Sequence, residues 1–395
     1  MSVHTLPSLA SLPPYVFSEL ERRKHAARAL GHEFRDLGIG SPDQPTPPAI
    51  IEALRIATTG SVTNAYPPFR GGERLLTAAT NFMASRFGVE FAPHREAVVL
   101  AGSKEGIAEM LAALCGPGDI VLAPSLSYPV YVRAPQMHGA SVHLVPMDPA
   151  NRWQMDLASV PAETLQRARV LIANYPNNPT GAVTTVDDLA ELVEFSRRHN
   201  LVLMHDLAYS ELSFDGHVAP SVFEVPGAKE VAVEFHSCSK SFNMAGMRIG
   251  FVVGRADALD ALLAYRSNVG YGVSMPIQHA AAYALDNVRA LTAPIVAEYQ
   301  HRRNALYEAL RDAGWDVTPP QAAMYAWLPL PDGMEPWDAV HRVLMEGRVM
   351  ITPGLAFGQA GSRWFRLSLV APAADLRAAA ARIVQVLGNV PAGVR

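Results

Sequence analysis

From about residue 95 the sequence alternates between short apolar runs and longer amphipathic stretches, and this limits the fold more than any other feature. The runs are AVVLA (97–101), IVLA (120–123), VHLVP (142–146), RVLIAN (169–174), LVLMHD (201–206), VAVEFH (231–236) and IGFVVG (249–254). Each is bounded by turn residues and is too short for a typical helix, so each is expected as a buried strand. Between several of them lie stretches of helical period, such as SKEGIAEMLAALC (103–115) and TVDDLAELVEFSRRHN (185–200). Strands that are apolar throughout and alternate with helices imply an α/β fold with a mainly parallel sheet covered on both faces. Ligands of such open sheets lie beyond the carboxyl ends of the strands. Asn174 and Asp206, which close their runs, and 237–240, which follows another, therefore gain interest.

The flanks read differently. YVFSELERRKHAARAL (15–30) places Val16, Phe17, Leu20, Ala27 and Leu30 at roughly helical spacing, and Gly31 ends it. LGIGSPDQPTPP (37–48) is a Gly/Pro segment with the period of neither element. The charged helical stretch 286–315 leads to a smaller C-terminal α+β unit, in which WFRLSLV (364–370) reads as a strand. The expected division is an arm and helix over 1–45 that pack with the small domain, a large ligand-binding domain over 46–285, and a linker helix plus small domain over 286–395.

At 395 residues with 49% hydrophobic and 18% charged, the chain can bury a large interior. A net charge of −4 gives no electrostatic case for nucleic acid or an anionic membrane. No apolar run approaches the roughly 20 residues that span a bilayer. The N-terminus lacks a basic region and is interrupted by Pro7, Pro13 and Pro14, unlike a secretory signal. Two cysteines, Cys115 and Cys238, make no disulfide framework, so a reducing cytoplasm is expected.

Several residues near the strand ends carry chemistry, each with a bland alternative. In AGSKEG (101–106) a strand turns directly into a helix, so free N–H groups and the dipole's positive end converge as a phosphate site would need; an ordinary N-cap at Ser103 is the alternative. Lys240 sits in SCSKSFNMAGMRIG (237–250) among Ser237, Ser239 and Gly246, with Arg248 beyond. A lysine drawn into a partly dry site loses proton affinity and becomes a nucleophile toward carbonyls; otherwise it is a solvated charge. Asp206 either caps the next turn or keeps a heterocyclic nitrogen protonated, with the Tyr209 phenol nearby. Asn178 in NYPNNPTG stabilises its own turn or donates to a ligand. Arg366, in an apolar strand, points out at an edge or clamps a carboxylate. Together these groups match what pyridoxal phosphate requires of a protein.

The chain resembles the fold-type I pyridoxal-phosphate aminotransferases of classes I and II over nearly its whole length, and within them the LL-diaminopimelate and alanine/aspartate aminotransferase branch. The stretches that carry the resemblance are LGIGSPD, AYPPFRGG, GSKEGIAEM, SYPVY, NYPNNPTGA, HDLAYSELSFDG, VEFHSCSKSFNMAGMRIGFVVG and FRLSL. It implies a seven-stranded sheet between helices, with a smaller domain built from the N-terminal arm and C-terminal segment. It also implies that Lys240 holds the cofactor covalently and shuttles the proton, and that Asp206 pairs with the ring nitrogen. Asn178 and Tyr209 would donate to the ring oxygen, and Tyr128 would stack on the ring. Ser103 and Lys104 (through backbone), Ser237, Ser239 and Arg248 would hold the phosphate. Tyr66 would reach it from a second subunit, which implies a homodimer with shared sites. Arg366 would clamp the substrate α-carboxylate, helped by Asn178 and the backbone near Gly40. Substrates would be an amino acid and a 2-oxo acid such as 2-oxoglutarate. Met247 and Phe242 depart from the family's frequent Trp and Tyr.

Rival readings lack support in the sequence. Ser237-Cys-Ser-Lys240 matches the S-x-x-K of penicillin-binding hydrolases, but their K-T-G is absent. His32-Glu33 has Asp36 where a zinc hydrolase needs its second histidine, so no metal is expected. A β-eliminating lyase on the same fold is the nearer alternative.

Overall fold

The computed structural model describes residues 7–10, 12–60 and 65–390. All seven apolar runs form strands of one sheet: β2 Ala97–Leu100, β3 Ile120–Pro124, β4 Ser141–Val145, β5 Ala168–Asn174, β6 Val202–Asp206, β7 Ala232–Ser237 and β8 Gly250–Gly254. β1, Arg35–Asp36, precedes them and belongs elsewhere. The order across the sheet is β2-β8-β7-β6-β5-β3-β4. β3 to β7 run parallel, whereas β8 is antiparallel to both β7 and β2. The link from β7 to β8 holds only the short helix Cys238–Ser241 and one 3-10 turn, too little to cross over the sheet, so the chain doubles back.

The two faces of the sheet are both apolar. Val98, Val170, Met204 and Phe235 pack in one cluster with the helices Ser103–Leu114 and Ala256–Val269. Ala97, Leu171, Leu203 and Phe251 face the other way, into a second cluster. The helix Val186–Arg198 starts where expected, with the Thr185 and Asp188 side chains each bonded to the other's backbone N–H. Ser103 differs from the plain-cap reading: Gly102 is the N-cap and Ser103 the first helical residue, so its hydroxyl caps nothing.

A third cluster joins Leu20 and Ala27 of the helix Val16–Ala29 to Leu306 of Val288–Asp312, Phe365, and Ile383 of Ala373–Leu387. It surrounds β9 Tyr325–Pro329, β11 Thr352–Pro353 and β12 Trp364–Ser368, which pair antiparallel in the order β11-β12-β9, and β10 Val349–Met350, which pairs in parallel with β1. WFRLSLV accounts for β12; the shorter partners β1, β10 and β11 leave no period in the sequence.

A buried acid lies in the main sheet on the face away from the cavity. Glu234 is fully buried, with its carboxylate 2.9 Å from His205 Nδ1 and 2.9 Å from His236 Nε2. It also accepts from Ser221 Oγ and the Val222 N–H, each at 2.8 Å. Burial pushes this carboxyl up, but the hydrogen bonds from the two histidines outweigh it and hold the group at about 2.

Candidate active site

A cavity of about 300 Å³ opens beyond the carboxyl ends of β5, β6 and β7. The large sheet contributes Ser103, Lys104, Tyr128, Asn178, Asp206 and Tyr209 to its lining, and further along Ser237, Ser239, Lys240 and Arg248. Gly40 and Arg366 close it from the other side. Tyr66 does not reach it: in the single chain it is 77% exposed and stacks on Tyr271 at 4.2 Å.

The strand ends are tied together by Asn174. Its Nδ2 donates to the Asp206 carbonyl at 2.7 Å and to the Pro176 carbonyl at 3.1 Å, and its Oδ1 accepts from the Asn178 N–H at 2.9 Å. Asn178 Oδ1 in turn accepts from Arg366 Nη1 at 2.8 Å, which leaves its Nδ2 free to donate. Arg366 is almost fully buried between the rings of Tyr325 and Phe357, 4.2 and 4.6 Å from their centroids. It points inward, not out at an edge. Its Nη2 donates to the Gly38 carbonyl at 2.8 Å, and its buried Nε has no partner. A guanidinium held this way is oriented but not neutralised.

Asp206 both caps and presents a charge. One oxygen accepts from the Ala208 N–H at 3.2 Å, the other from the Tyr131 hydroxyl at 2.6 Å. Burial raises its pKa; the Tyr131 bond and the charges of His205 and His236 behind it act the other way. Tyr209 and Tyr325 share a hydroxyl–hydroxyl bond of 2.9 Å.

Lys240 lies in the short helix whose N-cap is Ser237, and its ammonium donates to the Gly40 carbonyl at 2.6 Å. Burial lowers its pKa from the ordinary lysine value, helped by Arg366 and Arg248 and opposed by Tyr325. Gly40 has no room for a side chain: a Cβ there would stand 2.3 Å from the Tyr325 hydroxyl. Gly102 is constrained likewise, with a φ of +93° and Arg248 Nη2 2.4 Å from where a Cβ would lie. That close approach sets the Arg248 guanidinium against the N-terminus of the helix Ser103–Leu114, whose first N–H groups have no acceptor within the helix.

Sequence reasoning missed Tyr131, Tyr325, Tyr15 and Phe17 as cavity residues. Tyr131 falls three residues after Tyr128 in SYPVY, one helical turn on, and that spacing was its signal. Tyr325 comes from β9 and had none. Cys238 is buried, and burial pushes its thiol to about 12, which marks a packed residue and not a reactive one. Among the described residues no group of three or more His, Cys, Asp or Glu side chains is placed to hold a metal ion.

Comparison with known proteins agrees with this arrangement. The family model for aminotransferase class I and II matches residues 33–383. The LL-diaminopimelate aminotransferase of Desulforudis audaxviator is 41% identical over 390 residues, covering 99% of this chain and 100% of that protein. The protein of the same name from Dehalococcoides mccartyi is 40% identical over 375 residues, 95% of this chain and 97% of the relative. Among solved structures, substrate-bound BacF from Bacillus subtilis superimposes with a TM-score of 0.94 at 32% identity, covering 99% of this chain and 100% of that one. Thermus thermophilus aspartate aminotransferase gives 0.88 at 27% identity, over 98% and 100%. The chain belongs to the class I and II aminotransferases, pyridoxal-phosphate enzymes that move an amino group between an amino acid and a 2-oxo acid.

Proposed function

We propose that the chain transfers an amino group between LL-diaminopimelate and 2-oxoglutarate. The observation that carries this reading is the near full-length similarity to relatives bearing that name.

The cavity fits the cofactor at each end. Gly102, Arg248 and the open N-terminus of the helix Ser103–Leu114 form a cradle suited to a phosphate, with the Ser237 and Ser239 hydroxyls beside it. Asp206, already bonded to Tyr131, would face the ring nitrogen and hold a proton there. Tyr209 and Asn178 would donate to the ring oxygen, and Tyr128 would lie against the ring. When bound, pyridoxal phosphate supplies a sink for the electrons left at the substrate Cα. Lys240 would anchor the cofactor and then, as a free amine, carry the proton to and from that carbon, a task that a lowered pKa suits. Arg366, lining the cavity with its fork aligned by Asn178 and Gly38, would grip the α-carboxylate and fix the Cα–H bond toward Lys240.

Four cations line the cavity: Lys104, Lys240, Arg248 and Arg366. Three have the tasks above. The Lys104 ammonium lies 5.6 Å from the ring centroids of both Tyr15 and Tyr128, and would meet a second carboxylate, which favours a dicarboxylic donor over alanine.

Exposed Tyr66, Phe69 and Tyr271 form one stacked patch, a surface that a second subunit would cover, and this supports a homodimer in which Tyr66 enters the neighbour's site. No helix among the described residues is long and apolar enough to cross a membrane, and two free buried cysteines fit a cytoplasmic enzyme.

The test is a donor panel with 2-oxoglutarate, followed by half-reaction spectra. LL-diaminopimelate is expected to show the highest kcat/KM, and Lys104→Gln to raise KM for dicarboxylic donors while sparing alanine. A wild-type preference for alanine would overturn the substrate assignment.

A further inference from the structure

Most arginines of this protein either face a carboxylate or line the active-site cavity. Of those that do neither, three, Arg28, Arg348 and Arg382, converge on a separate cleft of about 810 Å³. Its walls come from the end of the helix Val16–Ala29, the turn 32–35, the start of β10 and the helix Ala373–Leu387. Arg35 also lines it, paired with Asp375 at 2.5 Å. Four arginines and His32 thus stand against two carboxylates, Glu33 and Asp375, in a chain whose overall charge is −4. A concave patch with the opposite sign to the whole molecule concentrates anions locally.

Among the described residues Arg28, Arg348 and Arg382 pair with no carboxylate, whereas Arg35 does. Arg28 stacks over the Phe34 ring at 5.1 Å, and Arg348 keeps a buried Nη1 with no acceptor. Guanidinium forks converging from separate elements match phosphate oxygens better than single ammonium charges would. The volume exceeds that of the catalytic cavity. We infer that this cleft binds a small phosphate-bearing polyanion. Its location gives such a ligand a place to act: the floor is the β1–β10 pair, with Arg35 opposite Val349, and five residues beyond Arg35 the chain reaches Gly40 beside Lys240.

The experiment is isothermal titration calorimetry of the cofactor-loaded protein in low-salt, phosphate-free buffer, with pyrophosphate and ADP as separate probes. Saturable one-to-one binding is expected, weakened about tenfold, or about 1.4 kcal/mol, by Arg348→Gln and again by Arg382→Gln. Tighter ADP binding identifies a nucleotide as the source of the phosphates; tighter pyrophosphate binding identifies an inorganic polyphosphate. Arg382 is exposed, so its variant remains a fair test if Arg348→Gln fails to fold. Absence of saturable binding overturns the site. Equal affinity in wild type and both variants, or displacement of the probe by 2-oxoglutarate, does the same by placing the anion elsewhere.

Discussion

The two faces of the main sheet at β6 and β7 carry charge in opposite ways. On one side Asp206 and Ser237 border the cavity, with Lys240 and Arg366 across it, so these groups face space that a ligand can enter. On the other side Glu234 spends both oxygens on four donors from His205, His236, Ser221 and Val222. Neighbouring residues of the same strands, His205 beside Asp206 and His236 beside Ser237, thus serve opposite ends. A charge bonded internally on every side builds scaffold, and one that borders a cavity is available to a ligand.

Substitutions on the two faces separate these roles. Lys240→Ala is expected to lower kcat by at least about a thousandfold while the thermal midpoint hardly moves; single-turnover spectroscopy and calorimetry read the two. Retained turnover would remove Lys240 from the mechanism. Glu234→Ala should do the reverse. Loss of the buried acid strands two histidines and a hydroxyl, at a cost of about 3–5 kcal/mol in urea unfolding, with the donor specificity of the folded fraction unchanged.

Arg366→Leu comes next. Loss of one charged clamp, about 1.5–3 kcal/mol, should raise KM for every amino donor by tenfold or more. Unchanged Michaelis constants would send the α-carboxylate elsewhere. Tyr131→Phe removes one hydrogen bond from Asp206, and a several-fold loss of cofactor affinity by equilibrium dialysis is the expected result.

The smallest effect is one of pH. Hydrogen bonds from the two histidines hold the Glu234 carboxyl at about 2 against an ordinary 4.5, so its contribution is complete above roughly pH 4.5 and is lost as the pH falls through 2. Denaturation midpoints over that window should fall less steeply in Glu234→Gln than in wild type. Parallel curves would mean that other carboxylates dominate acid unfolding.

Much of this was legible in the sequence because it is local. Each strand of the large sheet announced itself as a short, mostly apolar run, since the inner strands are buried on both faces, and the site residues sit at the ends of those runs. Glu234 was not singled out: VAVEFH reads as one apolar run, and the partners that make its acid structural arrive from β6, from the turn at Ser221 and from His236 two residues on. Tyr325 was not legible. Its role depends on β9 pairing with β12 and on a glycine at 40 that admits its ring, and neither leaves a period or a motif in its own neighbourhood. The two-residue strands β1, β10 and β11 were hidden for the same reason: their pairing is decided by tertiary packing.

The segment after β1 has a consequence for how such an enzyme diversifies. The Gly38 carbonyl accepts from Arg366 and from Thr352, and two residues on the Gly40 carbonyl accepts from Lys240. One short stretch of backbone thus touches both the group that selects the substrate and the group that moves its proton. A change in 37–41 cannot adjust preference alone; it alters selectivity and speed together. New donor specificities in this lineage would therefore arise more readily through Tyr15, Phe17 or Lys104, cavity residues without a hydrogen bond to that stretch, and a randomised library at those three positions should yield more active variants than one at 37–41.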